Sequence, residues 1–151
     1  MLSKEFVDFM IEEEGFSATP YFCQAGHLTI GIGHKILQGE RFDTITMEQA
    51  LNLLEKDLQP GYRAIDRLVR VKLTQQQQQA LLSFIFNLGV GAFGNSTLLK
   101  KLNEGDYKGA GLEFLRWNKY TDPKTKELKV SAGLDDRRKR ESAMFLQGLE
   151  T

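Results

Sequence analysis

Apolar positions recur at helical spacing at the start of the chain and over most of its second half, with one alternating stretch between. Ser3 reads as a helix N-cap, and Phe6, Val7, Phe9, Met10 and Ile11 then follow a helical period that should stop at Gly15. Pro20 and Gly26 bracket a turn-rich section holding Tyr21, Phe22 and Cys23. The run His27-Leu-Thr-Ile-Gly-Ile32 alternates as a short strand does, so residues 20–34 predict a small β-hairpin region.

Everything after Thr46 reads as helical. Thr46 to Gln49 has capping-box spacing ahead of Ala50, Leu51, Leu53, Leu54 and Leu58, and Pro60-Gly61 should end that helix. A second box, Thr74 to Gln77, opens a helix carrying Leu81, Leu82, Phe84, Ile85 and Leu88; the glutamine run 75–79 is expected to be its solvated first turns. The glycine-rich stretch 88–94 breaks the pattern. Short helices are expected over 96–102 and 107–117, then a polar loop over 118–133 that suits a lid or rim, then a basic last helix with Asp135 as its candidate cap. The expected architecture is α+β in one domain, 1–151: a small β-hairpin lobe at 15–60 and a larger helical lobe at 61–151, joined by the helix over 3–14.

Composition narrows the function classes. A chain of 151 residues suits one domain. Its 20 basic residues balance 20 acidic ones, which removes any field-level case for nucleic-acid or membrane binding. One cysteine cannot form an internal disulfide, and with His27 and His34 as the only histidines neither a metal site nor a cofactor is expected. No stretch reaches the ~18 apolar residues of a membrane span, and the amphipathic, charge-broken N-terminus reads as neither signal peptide nor anchor. A soluble monomer is expected.

The chemistry concentrates between Glu12 and His34. At ~100° per residue, Glu12 falls opposite the apolar stripe of the first helix, Glu13 near its edge, and Glu14 inside it, one turn beyond Met10. A carboxyl at that dry rim loses hydration, which raises its pKa and suits it to general-acid work. A helix-end glutamate in an ordinary structural ion pair is the competing account. On the strand, Leu28, Ile30 and Ile32 should share a buried face, leaving Thr29 on an almost bare face with Gly31 and Gly33. Such glycines mark either a ligand approach or close packing. His34 should be a buried histidine held by a hydrogen bond or salt bridge, outside the catalysis.

Glu14, eight residues, Cys23, five residues, Thr29: this spacing resembles the phage-type lysozymes, or endolysins, of glycoside hydrolase family 24, whose signature is Glu, eight residues, Asp or Cys, five residues, Thr. The similarity continues through residues 86–107 (FNLGVGAFGNSTLLKKLNEGDY), 113–117 (EFLRW) and 133–141 (GLDDRRKRE), and so covers nearly the full chain in the family's order. The resemblance implies a two-lobed lysozyme with its cleft between the lobes. It also implies hydrolysis of the β-1,4 bond between N-acetylmuramic acid and N-acetylglucosamine in bacterial peptidoglycan. Glu14 matches the general acid, Cys23 the Asp/Cys position and Thr29 the threonine position. Arg137 is then a candidate partner for the Glu14 carboxyl, with the four residues 137–140 otherwise a solvated basic turn. Asn87 is a candidate cleft residue or a helix-ending hydrogen bonder.

A cysteine where relatives carry aspartate changes the second half of the reaction, because a thiol with a pKa of roughly 8.5 is mostly neutral. Cys23 can position a water with Thr29, attack as a nucleophile, or only shape the site. The rival functions are a lytic transglycosylase, a non-hydrolytic peptidoglycan-binding module, and a cysteine peptidase. Reaching the wall would need a holin, a phage tail or secretion machinery.

Overall fold

The computed structural model describes residues 2–23, 26–147 and 149. Its contacts divide the chain into two compact units, Met1–Gln59 and Pro60–Thr151.

In the first unit, α1 (Lys4–Glu14) starts where the Ser3 hydroxyl accepts the Phe6 N–H at 3.2 Å, and it buries Phe6 and Met10. Gly15 ends it in the left-handed region at φ 76°, with its N–H on the Ile11 carbonyl at 2.7 Å. The chain then forms a three-stranded antiparallel sheet, β1 (Ser17–Phe22), β2 (Leu28–Gly31) and β3 (His34–Lys35), in that order. This is one strand more than the expected hairpin. Pro20, read above as a turn marker, lies inside β1; that strand is at the sheet edge and its register shifts between Ser17 and Tyr21, where a missing N–H is tolerated. The strict alternation of β2 also fails. Ile30 and Ile32 are buried as expected, but Leu28 is 39% exposed, and Ile32 lies in the turn after the strand. Helix α2 (Met47–Asp57), closed by the Thr46/Gln49 capping box, packs on β2 and buries Ala50 and Leu54.

In the second unit, α3 (Gln59–Leu68) begins directly at the Pro60-Gly61 pair that was expected only to end a helix. Proline near a helix start sacrifices no hydrogen bond, because the first N–H groups have no partner within the helix. Next come α4 (Gln75–Leu88), α5 (Val90–Gly94), α6 (Thr97–Asn103) and α7 (Tyr107–Glu113), whose chain tightens into a 3-10 turn over Phe114–Arg116. Gln77 is buried, unlike the solvated glutamine expected, because it closes the Thr74 capping box. The expected polar loop contains a hairpin, β4 (Lys119–Thr121) and β5 (Leu128–Val130), exposed at every position and so without an apolar face to betray it. Asp122 accepts the Lys124 N–H at 2.8 Å and pairs with Lys129 at 2.8 Å, fixing its turn. Helix α8 (Ala132–Gln147) is capped by Ser131, which takes the Leu134 N–H at 3.2 Å. Asp135, the expected cap, lies inside the first turn and bonds to Asn118 and Lys139. Helices α4 and α8 pack together, with Phe84, Phe93, Phe114 and Phe145 buried. Among the described residues no helix is long and apolar enough to cross a membrane.

Candidate active site

Glu14 is the last residue of α1, half-buried, while Glu12 is exposed, as the helical period requires. Its side chain lies against the bare backbone of Gly33. A Cβ built on Gly33 would stand 2.7 Å from the Glu14 Oε1 and 3.0 Å from its Cγ and Cδ. Gly33 also sits at φ 70°, a conformation side-chain-bearing residues avoid. Both constraints demand glycine there, and one of them is the carboxyl itself. Gly31 has only the backbone constraint. It sits at φ 66°, which side-chain-bearing residues avoid, while a Cβ there would make only ordinary contact with Ala50 Cβ and Ile45 Cδ1, each at 3.4 Å.

Cys23 follows β1 directly and is half-buried; its N–H donates to the His27 carbonyl at 2.9 Å, and its own carbonyl accepts the Gly26 N–H at 2.9 Å. Thr29 was expected to stand on an open floor. It is instead 3% exposed, and its hydroxyl donates to the His27 carbonyl at 2.9 Å. The Thr29 proton is therefore committed, and the oxygen keeps only acceptor capacity. Thr29 faces Tyr21 across the β1–β2 ladder. The Tyr21 hydroxyl is pushed above its ordinary pKa, first by burial, then by the Cys23 and Glu14 charges. Tyr21 thus shares one electrostatic environment with both candidate residues. Sequence reading passed over it because Pro20 masked the strand; its place two residues before Cys23 was the available signal.

Beside this group, His34 is buried between two carboxylates. Its Nδ1 is 2.7 Å from the Asp57 Oδ2 and its Nε2 2.9 Å from the Glu40 Oε1, with Phe42 edge-on to the ring. Burial alone would lower the His34 pKa, but the bonds to Asp57 and Glu40 outweigh it and raise the value. The two carboxylates move in opposite directions. Burial holds Asp57 above the ordinary aspartate range, whereas Glu40, which also accepts the Leu37 N–H, is held below its usual value.

The second unit carries Arg137 and Asn87. Arg137 and Arg138 are buried, correcting the expectation that most of residues 137–140 are solvated; Lys139 and Arg140 are exposed. Both arginines reach Glu141, with Arg137 Nε at 3.2 Å from Oε2 and Arg138 Nε at 2.8 Å from Oε1. Ser83 donates to the same carboxylate, and Arg138 donates to the Asn87 Oδ1 at 2.8 Å. Burial pushes the Glu141 carboxyl up, and the two guanidiniums pull it down. Asn87 is thus tied to α8 by its side chain. The structure gathers Glu14, Tyr21, Cys23, Thr29 and Gly31 in the first unit and Arg137 with Asn87 in the second. Among the described residues no group of three or more His, Cys, Asp or Glu side chains is arranged to hold a metal ion.

Comparison with known proteins gives a consistent picture. A family model described as Phage lysozyme matches residues 11–141. The SAR-endolysin of Escherichia phage Mu is 48% identical over 110 residues, covering 72% of this chain and 63% of that protein, so the chain spans under two thirds of that relative's length. The muramidase domain of SpmX from Asticaccaulis excentricus superposes with a TM-score of 0.84 at 34% identity, covering 97% of each chain. A mutant of P22 lysozyme superposes with a TM-score of 0.80 at 37% identity, covering 97% of this chain and 98% of that one.

Proposed function

This chain belongs to the phage lysozyme family, has its lysozyme-like α+β fold and is a glycoside hydrolase; from the residues collected in its first unit, we propose that it is a muramidase of bacterial peptidoglycan. The bond cleaved is the β-1,4 link between N-acetylmuramic acid and N-acetylglucosamine. Glu14 is the general acid that protonates the leaving glycosidic oxygen. Cys23 and Thr29 hold the water that attacks the anomeric carbon. Because the Thr29 proton is engaged by His27, its oxygen accepts from that water and turns a water lone pair toward the sugar. By analogy with water-based inversion, the water oxygen bonds to the anomeric carbon as the glycosidic C–O bond breaks, the Glu14 proton goes to the leaving oxygen, and the water's proton passes to the Cys23 sulfur in its thiolate form and returns to Glu14 through solvent. The domain acts as a monomer, delivered to the wall by a holin, a phage tail or secretion machinery.

The observation that carries the proposal is the seat of Glu14, a helix-end carboxyl fitted against a glycine that no other residue can replace without moving it. The test is turbidity loss of purified cell walls with wild type and Glu14→Gln side by side, followed by product masses. Glu14→Gln should lose activity while keeping its fold, and the wild-type products should carry reducing ends. Anhydro ends would mean transglycosylation, cleaved stem peptides a peptidase, and no product a binding module. Cys23→Asp should keep substantial turnover; unchanged turnover in Cys23→Ala would remove the thiol from the mechanism.

A further inference from the structure

The acid needs a wall to lean on, and the wall needs an anchor. Gly33, against which Glu14 rests, precedes His34 by one residue, in the tight turn between β2 and β3. That turn is held by three devices. Ile30 pairs with His34 across the ladder, the Ile36 N–H bonds to the Leu28 carbonyl at 2.9 Å, and the His34 ring ties the turn to α2 through Asp57 and to the 37–40 segment through Glu40. Neutral imidazole has one N–H, so it can satisfy only one carboxylate and turns a lone pair on the other. Two carboxylates on two ring nitrogens therefore specify the doubly protonated ring. The charged groups facing this ring among the described residues are Asp57 of α2 and Glu40, with Lys56 close enough to act on both carboxylates.

We propose that His34, protonated on both ring nitrogens and clamped between Asp57 and Glu40, is a positioning residue for Glu14, acting through Gly33, and that loss of its second proton releases the wall behind the acid. This rests on the general-acid reading of Glu14. When the ring becomes neutral, one of the two bonds turns repulsive, the 37–40 segment or α2 loses its hold on the turn, and the wall against the carboxyl shifts. Small misplacements of a catalytic group are expensive in rate. Turnover should then fall on the alkaline side while the protein stays folded.

Glu40→Gln keeps the size and one hydrogen bond but removes one of the two charges that keep the ring protonated. Hydrolysis of purified peptidoglycan is followed from pH 5 to 9 for wild type, Glu40→Gln and Glu14→Gln, with circular dichroism at each pH. The expected result is an alkaline limb of kcat displaced by about one pH unit to lower pH in Glu40→Gln, with KM little changed. Asp57→Asn, a second variant in case Glu40→Gln is poorly folded, should displace it in the same direction. A limb that stays in place in the folded variant, with Glu14→Gln inactive, overturns the role of His34 alone. Full activity in Glu14→Gln overturns both the acid and the clamp behind it.

Discussion

Each unit contains a buried cluster in which charged side chains share partners, and the two are built for different work. In the second unit Glu141 lies between Arg137 and Arg138, all three at most 6% exposed. Arginine does not give up its proton in proteins, so the two cations of this cluster stay charged over the whole neutral and alkaline range. It fastens α8 to α4 through Ser83 and Asn87, with cations that cannot be discharged. In the first unit the cation is a histidine, and its two carboxylates are each about a quarter exposed. Here the cation can be discharged within reach of physiological pH. The same Coulomb attraction therefore makes a permanent fastening in one place and a conditional one in the other. The conditional one lies one residue from the glycine under Glu14.

The sharpest way to break this contrast is Glu141→Ala. It removes the carboxylate shared by two buried guanidiniums and should cost about 3–5 kcal/mol in denaturant unfolding. A deficit below 1 kcal/mol would show that the arginines are held by other groups. Asp57→Asn should cost about 2 kcal/mol at pH 6, the scale of a hydrogen bond to a charged group. Its deficit must shrink with pH. His34 has a raised pKa in the folded protein, so its stabilisation is complete below the ordinary histidine value of about 6.5 and is lost as pH rises through the raised value. The acid side has the opposite sign. Glu40 is lowered, so its share is present above the ordinary glutamate value and is lost as pH falls through the lowered one. A deficit constant from pH 6 to 9 would put both clusters in one class. Gly33→Ala should have the smallest stability effect, about 1–2 kcal/mol for a side chain at positive φ. Its rate effect should be larger, about a hundredfold, because the new methyl displaces Glu14. Turnover within threefold of wild type would mean that Gly33 does not set the position of the acid.

Much of this was written along the chain. The period of α1 separates Glu14 from Glu12, the Thr46 and Thr74 boxes open their helices, and Ile30 and Ile32 are buried, because caps and burial patterns depend on neighbours a few residues apart. The exposed hairpin at 119–130 left no such trace, since strands without a buried face need no alternation. Pro20 pointed the wrong way, because its effect depends on whether its strand has a neighbour on that side.

The site divides along the same line. Sequence by itself determined the identity and order of Glu14, Cys23 and Thr29 and the family to which they belong. Tertiary structure alone decided that Gly33 makes room for the carboxyl, that the Thr29 proton is already engaged, and that His34 finds a carboxylate for each nitrogen. These are contacts between residues as much as 23 positions apart, as with His34 and Asp57. Spacing along a strand specifies which face a residue occupies; what stands opposite that face is fixed only when the other elements pack against it.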